Sequence, residues 1–109
     1  MTSSFVFETI LPASDWQNQA LTSFHAARSS AERDTALKEI VDAFAPYVRL
    51  ISRSWWLRFG RIRGNDGLHD IESAGRHGFL ISAHRWQPEF GKPFAHLAGK
   101  WIAESAKGE

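Results

Sequence analysis

Three groups of residues in this 109-residue chain are of types that could do chemistry. Five histidines offer imidazole, and His69, His77 and His84 fall near whole helical turns from one another. A metal site would need a partner set such as H-E-x-x-H, or thiolates, and neither accompanies them; the chain has no cysteine. A glycine-rich stretch at 60–67 has the flexibility to wrap a phosphate but lacks the G-K-[ST] ending that supplies the lysine and the hydroxyl. Its glycines are turn residues. The third group is a run of five arginines, Arg49, Arg53, Arg58, Arg61 and Arg63, with no acidic residue inside it. Guanidinium groups make bidentate contacts to phosphate or carboxylate, and a run of this kind also serves as a solvated helix face. No nucleophile–base pair has credible spacing. The expectation is a protein that binds and does not catalyse, with no metal, cofactor or small-molecule substrate.

The elements that position these groups follow from composition and periodicity. The length suits one modest core, without disulfides. No apolar run approaches membrane-spanning length and no signal pattern opens the chain, so a soluble cytoplasmic protein is expected. The net charge of +1 hides an asymmetry: residues 1–45 carry −3 and residues 46–109 carry +4. Residues 1–13 lack helical period and read as a tail or an arm, and 14–109 as one helical domain. Ser14 is placed as the N-cap of a first helix ending near Ser29, with Trp16, Ala20, Leu21, Phe24 and Ala27 along one stripe. Ser30 opens a second helix, with no capping box because Arg33 stands at the third position. Its stripe runs Leu37, Ile40, Val41, Phe44, Val48, Ile51 and Trp55 to about Phe59, with a kink or break expected at Pro46. A loop at 60–67 then leads to a third helix, capped by Asp66.

That third helix runs to Trp86, with Leu68, Ile71, Gly75, Phe79, Ser82, Ala83 and Trp86 at helical spacing. Gln87-Pro88 stops it, since a residue before proline is pushed out of the α region. Pro93 suits the first turn of a fourth helix that turns Phe94, Ala98, Trp101, Ile102 and Ser105 to one broad face. The fold expected is all-α, four main helices with an αα-hairpin at the C-terminal end.

From Asp70 to Ile102, about a third of the chain without a gap, the pattern D-[LI]-x-x-x-G-x-x-G-[LF]-[LM]-x-[AS]-x-x-x-[FW]-x-P-x-x-G-x-x-F-x-x-x-A-x-x-W-I resembles region two of bacterial RNA polymerase sigma factors. Phe44 to Arg53 resembles the first helix of that region more loosely. The resemblance implies a stand-alone sigma-like domain that docks on the clamp helices of the polymerase's largest subunit, with Asp70, Arg76 and Leu80 on the docking face. Asp70 falls on the family's aspartate and Leu80 on its apolar contact, whereas Ser73-Ala74 and Arg76 replace a Gln-Glu pair and an Asn. In the last helix Phe94 and Trp101 are retained, but Leu97 stands for the base-stacking tyrosine, Lys100 for the first tryptophan of a Trp-Trp pair, and Glu104 for a promoter-reading glutamine.

The resemblance therefore implies a regulator of transcription rather than an unaided promoter opener. It is similar to the activators and antiterminators of phages and phage-derived clusters such as gene transfer agents. Expected partners are the polymerase and, weakly or only within that complex, DNA, contacted by Arg58, Arg61, Arg63, Phe94, Lys100, Trp101 and Lys107. Two alternatives are a minimal or split sigma factor reading a −10-like element, and an anti-sigma-like module that occupies the clamp helices. No membrane partner is expected.

Overall fold

A computed structural model describes residues 10–60 and 68–108, and all statements of structure below concern these. Four α-helices follow one another: α1 (Ser14–Ala26), α2 (Ser30–Trp55), α3 (Leu68–Arg85) and α4 (Phe94–Gly108). A π-helical turn at Trp56–Gly60 extends α2, and a 3-10 turn at Pro88–Phe90 lies between α3 and α4. No strand occurs among the described residues, so the expected all-α four-helix bundle stands. Phe5, Phe7, Arg61, Arg63 and the Asp66 cap lie outside the described residues, while Ile10 and Leu11 are half-buried and pack against the core.

Local chemistry explains most of the boundaries. Ser29, not Ser30, caps α2: its hydroxyl accepts from the Glu32 N–H at 3.2 Å, and the Glu32 carboxylate accepts from the Arg28 N–H at 3.2 Å. This is a near relative of the capping box, displaced one residue from the sequence expectation. Ser14 does not cap α1. Ala13 holds that position with extended backbone and no side-chain bond, and its carbonyl accepts from the Gln17 N–H at 3.0 Å. The neighbouring Pro12 carbonyl is taken by the Gln17 side chain at 2.8 Å. At the end of α3, Gln87 is extended (φ −138°, ψ 142°), as its proline neighbour requires, and Gly91 takes the left-handed φ of 67°.

Pro46 does not interrupt the helix: α2 runs from Ser30 to Trp55 as one element. An internal proline costs about 3 kcal/mol. Ile40, Phe44, Tyr47 and Val48 on either side of it are all buried, and each contributes roughly 1.5–3 kcal/mol by leaving water. Pro46 itself is exposed, as is Asp42, whose carbonyl loses its acceptor role, so solvent can reach the gap. Packing outweighs the local defect.

The core centres on three phenylalanines from three helices. Phe44 (α2) meets Phe79 (α3) at 5.3 Å and Phe94 (α4) at 5.2 Å between ring centroids, and Phe79 meets Phe94 at 5.6 Å. Two of these pairs are edge-to-face, the geometry the ring quadrupole favours. Leu21, Ile40 and Ile102 close the core from α1, α2 and α4.

The most extensive helix–helix packing is between α3 and α4; Gly78 permits it, and Gly75 permits the close approach of α2 to α3. A Cβ at Gly75 would overlap the Ser52 hydroxyl, and one at Gly78 would overlap the Trp101 carbonyl oxygen and lie 2.9 Å from Ser105 Cβ. The pair of glycines in the sequence pattern thus has a steric cause: the Ser52 side chain of α2 fills the space beside Gly75, and the α4 backbone passes directly over α3 at Gly78.

Gln17 ties the first helix to the last. It is 2 % exposed, and its Oε1 accepts from the Ala95 N–H at 3.0 Å. That donor belongs to the first turn of α4 and has no partner within its own helix. The Tyr47 hydroxyl donates to the Ala95 carbonyl at 3.4 Å, and burial pushes the Tyr47 phenol above its ordinary value.

Candidate functional site

Two surfaces gather the residues that the sequence singled out. The first lies where α2 and α3 part. Val41, Ala45 and Val48 of α2 face Phe79 and Leu80 of α3 across an apolar slot of about 100 Å³. Arg49, Glu72 and Arg76 stand at its edge. Leu80 is half-buried and Arg76 exposed, with the Arg76 guanidinium donating to the Ser73 hydroxyl at 3.1 Å. Glu72 pairs with Arg53 at 3.6 Å, a bridge from α3 to α2. Asp70 is exposed but is not part of this slot. At about 100° per residue it lies roughly 80° around α3 from Leu80. Arg76 and Leu80 therefore share one feature, and Asp70 flanks it.

The second surface is an open concavity of about 440 Å³ at the turn between α3 and α4. Lys100, expected to meet nucleic acid, lines it together with Phe90, Lys92, His96 and Leu97, over a floor that includes Trp86. Phe90 is 48 % exposed, one of only two large apolar side chains so open to water among the described residues. Two ammonium groups beside an exposed aromatic ring form a combination that attracts a phosphate backbone and offers a base a stacking face. Sequence reading missed Phe90, Lys92 and His96. The signal for Phe90 and Lys92 is P-E-F-G-K-P, a turn too short to bury its own side chains, whereas His96, in the first turn of α4, carries no such signal.

The remaining expected contacts are scattered. Arg58 is exposed on the π-helical turn. Arg61 and Arg63 lie outside the described residues, as does the side chain of Lys107. Phe94 is fully buried in the three-phenylalanine core, so it packs the fold and cannot touch a nucleic acid directly. Trp101 departs from the expected core stripe. Phe94, Ala98, Ile102 and Ala106 form the buried line of α4, and Trp101, about 100° away from Ile102, is only half-buried. The Arg85 guanidinium lies 4.9 Å from the centre of the Trp101 ring, a cation–π contact that covers one of its faces.

The histidines do not converge. No group of three or more His, Asp or Glu among the described residues could hold a metal ion. His25 instead serves packing: its Nε2 lies 2.8 Å from the Ala83 carbonyl, joining the ends of α1 and α3, and His84 stands edge-on to Phe24 at 5.2 Å. No helix among the described residues is long and apolar enough to cross a membrane.

Comparison with known proteins gives no match to a family model, to a curated protein or to a solved structure.

Proposed function

We propose that this chain is a transcription regulator that binds bacterial RNA polymerase through a sigma-region-two-like helical domain and acts on an already recruited enzyme, as an activator or antiterminator. The observation that carries this reading is the fate of the two aromatic residues retained at the family's DNA-facing positions. Phe94 is withdrawn into the core and Trp101 is partly covered by Arg85. Flipping a base costs a few kcal/mol of unstacking, which a receiving pocket must offset. With Leu97 and Lys100 at two further positions of that pocket, the offset is missing. The docking side is open by contrast: Asp70 and Arg76 are exposed and Leu80 is partly so. Lys92 and Lys100 supply attraction to nucleic acid without regard to sequence.

The test is transcription from a template carrying one promoter and one downstream terminator. Added to holoenzyme, the protein is expected to increase read-through of the terminator. Added to core enzyme alone, it is expected to yield no discrete promoter-initiated product. The double variant Asp70→Arg, Leu80→Ala is expected to remain folded and to lose co-purification with polymerase; undiminished co-purification excludes this face as the dock.

One observation favours a second reading, a minimal sigma factor. Phe90 stands exposed between Lys92 and the rest of the concavity, where it can stack on an unpaired base in place of the missing tyrosine. A specific transcript from core enzyme plus this protein, abolished by Phe90→Ala, would decide for it.

A further inference from the structure

The slot between α2 and α3 has properties that define what fits it. Its walls, Val41, Ala45, Val48, Phe79 and Leu80, offer a guest no side-chain hydrogen bond. Its volume of about 100 Å³ is smaller than the cavity of about 150 Å³ that accepts benzene in an apolar protein interior. One aliphatic side chain of leucine or isoleucine size fills a space of this order. The slot opens to the surface between α2 and α3, so the guest arrives as a side chain on a neighbouring polypeptide.

The rim supplies the second half of the description. Among the lining residues, two guanidinium groups, Arg49 and Arg76, face one carboxylate, Glu72. That carboxylate is engaged by a third guanidinium, Arg53, which is 58 % exposed, against 19 % for Glu72. Such a half-exposed pair contributes little to stability, but it cancels the one negative charge and leaves the mouth of the slot cationic. Arg76 donates to a neutral hydroxyl and retains its charge for a partner. An apolar slot ringed by arginine selects an aliphatic anchor flanked by carboxylates. On a helix, carboxylates one turn before and one turn after the anchor reach both arginines.

The geometry points to the α2–α3 slot as the docking site for an acidic amphipathic helix of a partner protein, seated by one leucine- or isoleucine-sized side chain between Val48 and Leu80 and held by Arg49 and Arg76. This deepens the polymerase-docking reading, on which it rests only in assigning Arg76 and Leu80 to a protein interface. It adds the chemistry of the partner and gives Arg49, the first member of the arginine run, a carboxylate to hold.

The experiment titrates the full chain into a fluorescein-labelled 16-residue helical peptide with one leucine and a glutamate one turn to either side. Two control peptides replace the glutamates by lysine, or the leucine by alanine. Each change is expected to weaken binding at least tenfold. The double variant Arg49→Glu, Arg76→Glu alters only exposed side chains, so it keeps the fold, and is expected to reverse the preference in favour of the lysine peptide. Ala45→Leu fills the slot and is expected to abolish the difference between the leucine and alanine peptides; circular dichroism checks that it folds. Equal binding of the glutamate and lysine peptides, or no binding of the leucine peptide, overturns the inference. Co-purification of the unaltered protein with polymerase is measured alongside. Polymerase binding without peptide binding sinks the slot and leaves the docking reading standing, whereas peptide binding without polymerase binding does the reverse.

Discussion

Replacing Gly78 by alanine tests the close α3–α4 crossing that the concavity at the α3–α4 turn depends on. Two effects oppose one another. Alanine is the better helix former by about 0.8–1 kcal/mol, so at an exposed site the change would stabilise. Here the new methyl group would overlap the Trp101 carbonyl oxygen and lie 2.9 Å from Ser105 Cβ. A carbonyl oxygen cannot rotate aside as a side-chain end can, so relief requires moving α4 away from α3. Because Phe94, Ala98 and Ile102 of α4 are all buried, that shift loosens the core along the whole crossing. Overpacking costs typically 1–3 kcal/mol, and a clash against backbone belongs at the upper end. The net expectation is a loss of about 2 kcal/mol. With a urea m-value of roughly 1–2 kcal/mol/M for a small domain, the midpoint falls by about 1–2 M. The assay is urea denaturation followed by circular dichroism on wild type, Gly78→Ala and Gly78→Ala combined with Ser105→Gly. The second substitution removes the side-chain part of the clash and leaves the carbonyl, so it is expected to restore little. A midpoint equal to or above wild type for Gly78→Ala alone would show that the helices do not meet as closely as described.

Gln17→Ala strands the Ala95 N–H and the Pro12 carbonyl; leaving buried groups unsatisfied costs about 1–3 kcal/mol, and amide hydrogen exchange at Ala95 is expected to accelerate beyond the global change in stability. Trp101→Ala is expected to cost about 1–2 kcal/mol by urea melts, below the 3–5 kcal/mol of a fully buried aromatic, because the ring is half-buried; a loss in the full range would place it in the core. Tyr47 gives a pH signature. Its phenol is raised above the ordinary value of 10.0 by burial, so the folded state holds the proton more tightly than the unfolded one. The associated stability is fully present below about pH 10 and is lost as pH rises through the folded-state value. Tyr47→Phe is expected to flatten that alkaline loss in melts between pH 9 and pH 12, and an unchanged slope would mean that the phenol is not desolvated.

Several features of this protein are set within a few neighbouring residues, and these were legible in the sequence. Gln87-Pro88 ends α3 because a proline ring collides with a preceding α conformation, whatever surrounds it. The buried lines of α2 and α3 follow from the helical period, which places Ile40, Phe44 and Val48, or Ile71, Gly75, Phe79 and Ser82, on one side of a helix. Caps are nearly as local, yet the choice between Ser29 and Ser30 turned on Glu32, which the alternative register left unused. Other features were decided only by tertiary structure. Pro46 stays inside one helix because three other helices bury its neighbours. Trp101 has the composition and nearly the phase of a core residue, but α3 approaches α4 so closely at Gly78 that the ring is left at the edge beneath Arg85. Gln17 looks like any polar helix residue until an N–H 78 positions away meets its side chain. The slot needs Val48 from one helix and Leu80 from another, and the concavity needs Phe90 held beside Lys100. Periodicity assigns each side chain to a face of its own helix; which faces meet, and what is left open between them, depends on contacts that no local pattern encodes.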